Sequence, residues 1–373
     1  MKTYKHLYPT VVSFENLYLA YREAARGKRG QPNVAAFDFD LEANLLQLQA
    51  ELQSKTYRPS PYTSFRIHDP KPRLISAALF RDRVVHHALV RVIEPIFEQS
   101  FIDDSYANRL GNTCTCTCAG AQRRCKCRRG THRALDRCQE FARRYRYVLQ
   151  CDIRQFFPSV DLAILETILA RKIADPHVMW LVARIMESGI GVLSGEYDMV
   201  WFPGDDLFAV HRARGLPIGN LTSQFWANCY LDPLDHFIKR ELGCLAYLRY
   251  VDDSLLFADE KRQLWEWKGA IQGYLARLRL ALHERESTVY PVSNGIPFLG
   301  FRVFPGHRRL KRRNGVAFAR RLRRSCQALA RGELTYQDLH QRVQGWVAHA
   351  AHGNTYRLRQ SLFASNPIPR SAI

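Results

Sequence analysis

A chain of 373 residues, 46% hydrophobic and 12% aromatic, has the makings of a large folded core divided into two or three lobes, which excludes a disordered chain. No stretch approaches the roughly 18 uncharged apolar residues of a membrane span, and Met1-Lys2-Thr3-Tyr4-Lys5-His6 has no apolar signal core, so a soluble cytoplasmic protein is expected. The net charge of +20 points to a polyanionic partner, most simply nucleic acid.

Helical apolar spacing predicts helices over Phe14–Ala25 and Leu41–Leu52. Pro59-Ser60-Pro61 breaks the chain, and Tyr62–His68 alternates as a strand does. Arg81–Phe97 is a helix with Val84, Val85, Ala88, Leu89, Val92 and Ile93 on one stripe. Tyr145–Asp152 reads as a strand ending on a carboxylate. Leu162–Ile173 and Val178–Glu187 read as helices, and Gly189–Gly215 as a loop holding a short hairpin. Ser223–Glu241 and Leu264–Leu280 are helical. Ile296–Phe304 is a short strand pair with Gly300 at its bend, and helices run from about Tyr336 to Leu362. Alternating helices and hairpins indicate an α+β palm with appended lobes.

The chemistry centres on Tyr250-Val251-Asp252-Asp253. Apolar runs, Leu245-Ala246-Tyr247-Leu248 and Ser254-Leu255-Leu256-Phe257-Ala258, flank it and make the Asp pair the turn of a hairpin. Adjacent carboxylates repel unless a cation binds, and hard oxygen ligands suit Mg²⁺. Asp152, at the end of Val148-Leu149-Gln150-Cys151, adds a third. Three such groups supply the ligands of a site whose two divalent ions, about 4 Å apart, clamp the attacking and leaving oxygens of phosphoryl transfer.

Two further segments stand out. From Arg302 to Arg324 there are ten Lys or Arg and no acid, interleaved with Phe304, Phe318 and Leu322, as in a folded element that follows a phosphate backbone. Of ten cysteines, Cys138, Cys151, Cys229, Cys244 and Cys326 are spaced as small core residues. The other five, in Cys114-Thr115-Cys116-Thr117-Cys118 and Cys125-Lys126-Cys127, match no standard zinc spacing and read as a surface insertion.

Seven segments, two of them halves of one motif, occur in the order of the motifs found in reverse transcriptases. They are Lys71-Pro72-Arg73-Leu74-Ile75, Asp104-Ser105-Tyr106-Ala107-Asn108-Arg109 continued by Gly130-Thr131-His132-Arg133-Ala134-Leu135, Asp152 with Phe157, Gly215-Leu216-Pro217-Ile218-Gly219-Asn220-Leu221-Thr222-Ser223-Gln224, Tyr250-Val251-Asp252-Asp253, and Gly295-Ile296-Pro297-Phe298-Leu299-Gly300. The chain resembles that family over Phe14 to Phe304. The resemblance implies a right-hand polymerase: fingers over 1–145 with the Cys-rich insertion at 110–129, a ferredoxin-like palm over 146–305 with interleaved fingers elements, and a basic helical thumb over 306–373. It implies RNA-directed DNA synthesis with two Mg²⁺ ions, Mn²⁺ being an alternative. Asp152, Asp252, Asp253 and the Ile153 carbonyl would hold the metals. Lys71, Arg73 and Arg109 would meet the triphosphate, Phe157 would exclude a 2′-hydroxyl, and Ile218, Gly219 and Gln224 would line the nucleotide pocket. Gly300 would support the primer end, and Arg312, Arg313, Arg320 and Arg321 would follow the nucleic acid. Partners would be template RNA, an RNA/DNA hybrid and dNTPs, with no membrane.

Ile-Gly at 218–219 and Ser-Gln at 223–224, where most of the family has Gln-Gly and Ser-Pro, is similar to reverse transcriptases of diversity-generating retroelements. Those copy a template RNA with errors at adenines and work with a small helical-bundle accessory protein. The rival assignments are an antiphage reverse transcriptase using a dedicated non-coding RNA and a non-catalytic RNA-binding protein on a polymerase fold.

Overall fold

The computed structural model describes residues 2–68, 72–109 and 129–367. Lys71 and the five clustered cysteines lie outside the described residues. Helices α1 (Tyr8–Val11), α2 (Phe14–Ala24), α3 (Pro32–Phe39) and α4 (Leu41–Gln53) gather around the long α5 (Phe80–Glu98). The Ser13 side chain caps α2 by accepting from the Asn16 N–H. Leu17, Ala20 and Tyr21 of α2 share one core with Val84, Val85, Ala88 and Leu89 of α5, so each predicted stripe is the face the two helices bury together. Between α4 and α5, strands β1 (Thr63–Ile67) and β2 (Arg73–Ala77) form an antiparallel ladder.

After α6 (Thr131–Arg144) come β3 (Tyr147–Cys151), α7 (Phe156–Ser159), α8 (Leu162–Ala170), α9 (Pro176–Ser188) and α10 (Leu221–His236). Strand β4 (Tyr247–Tyr250), β5 (Asp253–Ala258), α11 (Lys261–Arg277) and β6 (Thr288–Pro291) complete the unit. The sheet is antiparallel with order β4-β5-β3-β6, the ferredoxin-like arrangement. Successive residues of a strand point to opposite faces. Leu149, Tyr247 and Leu256 accordingly enter the main core. Val148, Leu248, Leu255 and Phe257 enter a second core with Leu135, Cys138 and Phe141 of α6. Both faces are covered, which is why these strands read as nearly continuous apolar runs. Cys138, Cys151, Cys229 and Cys244 are buried free thiols, as their spacing indicated.

A second small sheet follows: β7 (Ile296–Phe298), β8 (Phe301–Val303) and β9 (Arg308–Leu310). The chain ends in α12 (Arg312–Ala330), α13 (Tyr336–Ala350) and α14 (Tyr356–Ala364), packed around Phe318, Leu322, Leu339 and Val343. The Phe318 and Trp346 rings stack at 3.8 Å. A capping box of Thr335 and Asp338 starts α13. The Asn354 N–H donates to the Arg308 carbonyl at 2.8 Å, tying the turn before α14 to β9.

Two expectations are corrected. Gly189–Gly215 holds no hairpin but two short 3₁₀ turns, Ser194–Glu196 and Leu207–His211. Asp205, whose side chain is 1% exposed, anchors this stretch through ion pairs to Arg212 and Arg279, so charge rather than strand pairing fixes it. The predicted helix to Glu241 stops at His236 and continues as one wider π turn, Phe237–Glu241. No helix among the described residues is long and apolar enough to cross a membrane.

Candidate active site

Strand register builds the acidic edge. β3 and β5 pair Cys151 with Ser254, so one further step of the same register sets Asp152 opposite Asp253. β4 and β5 pair Tyr250 with Asp253, which corrects the expected turn: it is Val251-Asp252 rather than the Asp pair, and Asp253 is the first residue of β5. Val251 has φ +58°, the left-handed conformation such tight hairpins demand and a β-branched residue resists. The three carboxylates therefore collect at one end of the sheet.

Asp152 is acted on by the charges of the other two. Burial, followed by the charges of Asp252 and Asp253 and by a hydrogen bond and repulsion from Glu286, pushes Asp152 up to about 7. Asp252 is also raised by burial, against the opposing effects of backbone N–H bonds, Arg73 and Arg249. The segment after α11 holds Asp152 in place. The His283 N–H donates to the Asp152 carbonyl at 2.8 Å, and the Asp152 N–H donates to Ser287 Oγ at 3.2 Å. Ile153 is buried and forms an isolated antiparallel bridge with Leu282. Glu286 is a fourth acid beside Asp152, and its place in the polar run Leu282–Thr288 gives no sign of that role in the sequence.

Among the described residues, no three His, Cys, Asp or Glu side chains are grouped so as to hold one metal ion. The donor chemistry nevertheless fits a hard divalent cation. The groups are carboxylates, partly buried, and the repulsion that Asp252, Asp253 and Glu286 exert on Asp152 is one that bound positive charge relieves.

The other predicted residues divide into two sets. Arg73 lies exposed on β2 and its charge reaches Asp252. The Ser76 N–H donates to the Ile218 carbonyl at 2.8 Å, and Asn220 Nδ2 donates to the Ser76 carbonyl at 2.9 Å, so the Ile218-Gly219 loop is laced to the same strand. Gly219 has φ +120°, and a Cβ there would stand 3.1 Å from Ile75 Cγ2. Phe157 is half-buried and sets its ring against fully buried Phe156 at 5.4 Å, leaving Phe156 the core role. Gly300 has φ +87° in the β7–β8 turn, and its carbonyl accepts from the Lys311 N–H at 3.0 Å, joining that turn to the start of α12. Arg312, Arg313, Arg320 and Arg321 are exposed on α12.

Arg109 does not belong to the site. Its side chain is 0% exposed and its Nε is shared by both Glu98 oxygens at 2.9 Å. Nη1 donates to the carbonyls of Ile102 and Ser105. A guanidinium committed to these acceptors is a buried brace, not a triphosphate contact. Gln224 lines a polar pocket of about 210 Å³ with Lys28, Arg83, His86 and His87, and none of its lining residues is one of the three Asp.

Residues 67–303 match the family model for reverse transcriptase (RNA-dependent DNA polymerase). Protein YkfC of Escherichia coli is 25% identical over 310 residues, covering 70% of this chain and 72% of that protein. The group II intron-encoded protein LtrA of Lactococcus lactis is 23% identical over 244 residues, covering 64% of this chain; the match spans 36% of LtrA. Among solved structures, apo telomerase from Candida tropicalis truncated from its C-terminal domain superposes with a TM-score of 0.45 at 12% identity, over 70% of this chain and 59% of that one.

Proposed function

The chain belongs to the reverse transcriptase family and has its right-hand polymerase fold, and on that premise we propose that it extends a primer with dNTPs on an RNA template at the Asp152–Asp252–Asp253 edge. The observation that carries this is the strand register gathering the three carboxylates at one end of a ferredoxin-like palm. We assign fingers to 1–145, palm to 146–305 and a basic thumb to 306–373.

Asp152, Asp252, Asp253 and the Ile153 carbonyl would hold two Mg²⁺, or Mn²⁺. When bound, such ions neutralise charge on the attacking and leaving oxygens of the transfer. The chain's own residues position the reactants. Arg73, held on β2 beside Asp252, offers its guanidinium to the triphosphate, and Lys71 is a second candidate for that contact. The Ile218-Gly219 loop brings backbone close to the nucleotide because Gly219 carries no Cβ. Phe157 presents bulk to the ribose. The Gly300 turn supports the primer end, and the α12 arginines follow the phosphates of the RNA/DNA hybrid.

Within the family, the Ile218-Gly219 and Ser223-Gln224 pattern favours the error-prone enzyme of a diversity-generating retroelement acting with a small helical-bundle accessory protein. The antiphage reading shares the same chemistry and differs in its RNA. The test is extension of a DNA primer on a defined RNA with Mg²⁺ or Mn²⁺. Asp252→Asn and Asp152→Asn are each expected to abolish it. Undiminished extension by either variant rejects the site.

A further inference from the structure

Arg249, two residues before the turn, is the most completely used side chain near the acidic edge. It is 1% exposed and its ion-pair partner Asp235, on α10, is 0% exposed. Arg249 Nε donates to Asp235 Oδ1 at 2.8 Å and Nη2 to Oδ2 at 2.6 Å, the parallel two-bond pairing that a guanidinium makes and an ammonium cannot. Nη1 then reaches in two directions. It donates to Asn228 Oδ1, also on α10, at 3.1 Å, and to the carbonyl of Val251 at 3.0 Å.

That last bond reaches the peptide joining Val251 to Asp252. Val251 is the residue held at φ +58°, and only its carbonyl separates it from the Asp252 backbone. A β-branched residue does not keep this conformation unaided, because its Cβ crowds its own backbone. Something outside the turn must hold it, and the guanidinium supplies that hold from a rigid helix. The helix end of the clamp is itself fixed, because Asn228 Nδ2 donates to the Ala107 carbonyl at 2.9 Å. Asp235 Oδ1 also accepts from Tyr247 at 2.6 Å, a bond outside the path from Arg249 to the turn. The Arg249 main chain is pinned as well. Its N–H donates to the Asp104 carbonyl at 2.9 Å, and its carbonyl accepts from the Tyr106 N–H at 3.0 Å.

We propose that Arg249 is a positioning residue for catalysis, its guanidinium clamping the Val251 carbonyl to α10 and so holding the left-handed turn that presents Asp252. This rests on the polymerase reading of the acidic edge. Arg249 touches neither substrate nor reacting atoms; it acts through the backbone of residue 251. A carboxylate displaced by about 1 Å can cost on the order of 100-fold in rate, so a loosened turn shows itself in the chemical step before it shows in binding.

The experiment is single-nucleotide incorporation on an RNA template, read as the burst rate normalised to the burst amplitude, so that misfolded enzyme drops out. Arg249→Lys keeps a charge for Asp235 but cannot also reach Val251. Its burst rate is expected to fall about 10- to 100-fold while primer–template affinity and dNTP affinity stay within about twofold. Glycine adopts positive φ freely, so adding Val251→Gly is expected to restore most of the lost rate. Tyr247→Phe, which removes another bond to Asp235 without touching the turn, is expected to leave the burst rate within about twofold. Three results would each overturn the proposal: a fast Arg249→Lys, a double variant as slow as Arg249→Lys, or an equally slow Tyr247→Phe. Should Arg249→Lys not fold, Arg249→Gln with Asp235→Asn removes both buried charges together; its rate must fall alike and Val251→Gly must restore it. Wild-type enzyme unable to extend any primer rejects the polymerase reading instead, a separate outcome.

Discussion

Arg109→Ala separates two roles that a sequence motif cannot. In the triphosphate role, losing Arg109 weakens dNTP binding and leaves stability alone. In the structure, the Arg109 side chain is 0% exposed and the Glu98 side chain 6% exposed, with two bonds of 2.9 Å between them. The guanidinium also satisfies the carbonyls of Ile102 and Ser105 at 3.0 and 3.2 Å and stands 4.8 Å from the Phe101 ring centre. Truncation deprives a buried carboxylate of its counter-charge, and breaking a buried pair from one side costs about 3–5 kcal/mol. That is two to four orders of magnitude in the unfolding equilibrium, at about 1.4 kcal/mol per tenfold. Urea unfolding followed by fluorescence is expected to show this loss as a lowered midpoint. Arg109→Met with Glu98→Gln removes both charges, and is expected to recover most of the stability. The surviving folded enzyme should have an unchanged KM for dNTP. A variant with wild-type stability and a selectively raised KM would refute the brace and return Arg109 to the nucleotide site.

Three further outcomes are expected. Phe157→Ala should admit ribonucleotides, because the half-buried ring is the bulky side chain five residues after Asp152; unchanged dNTP-to-rNTP preference in competition assays assigns Phe157 to packing alone. Replacing Arg312, Arg313, Arg320 and Arg321 with Gln should flatten the log–log salt dependence of RNA binding by about 3, given roughly 0.7–0.9 per phosphate contact. An unaltered slope moves the RNA track off α12. Ile218→Gln should lower misincorporation several-fold, since a restored polar contact contributes about 0.5–1.5 kcal/mol of discrimination. Sequencing cDNA from a defined RNA checks this, and an unchanged error spectrum removes Ile218 from fidelity.

The parts of the site legible in sequence are those that local pattern determines. Two apolar runs around Asp252-Asp253 leave little choice but a hairpin, and an apolar run ending on Asp152 leaves that carboxylate at a strand end. Parts that depend on tertiary partners were not legible. Nothing in the Asp104–Arg109 motif marks Arg109 as buried, because its acid lies on α5 and the pairing exists only after folding. Glu286 sits in a polar run and reaches Asp152 only because Ile153 and Leu282 form a bridge that no periodicity announces. Arg308 and Arg309 looked like one charge run. In the fold, Arg308 turns inward to Gln139 and Asp136 of α6, which makes β9 a strand rather than the start of the thumb helix. Ala134, Leu135, Cys138 and Phe141 have the helical spacing of the face that α6 buries against the sheet.

The order of strands in the palm has a consequence for how the enzyme comes into being. β3 is synthesised early, but its two neighbours, β5 and β6, arrive only with Ala258 and Pro291. A growing chain on the ribosome thus carries Asp152 for a long interval with no opposite carboxylate and with both edges of β3 unpaired. Such a strand is apolar on both faces and is a template for foreign pairing until its partners emerge. Closing so distant a pairing is also slow, since the chain between must be ordered before any contact rewards it. Nascent or truncated chains ending before β6 should therefore lean on chaperones. The acidic edge itself does not exist until β5 has paired with β3 and β4.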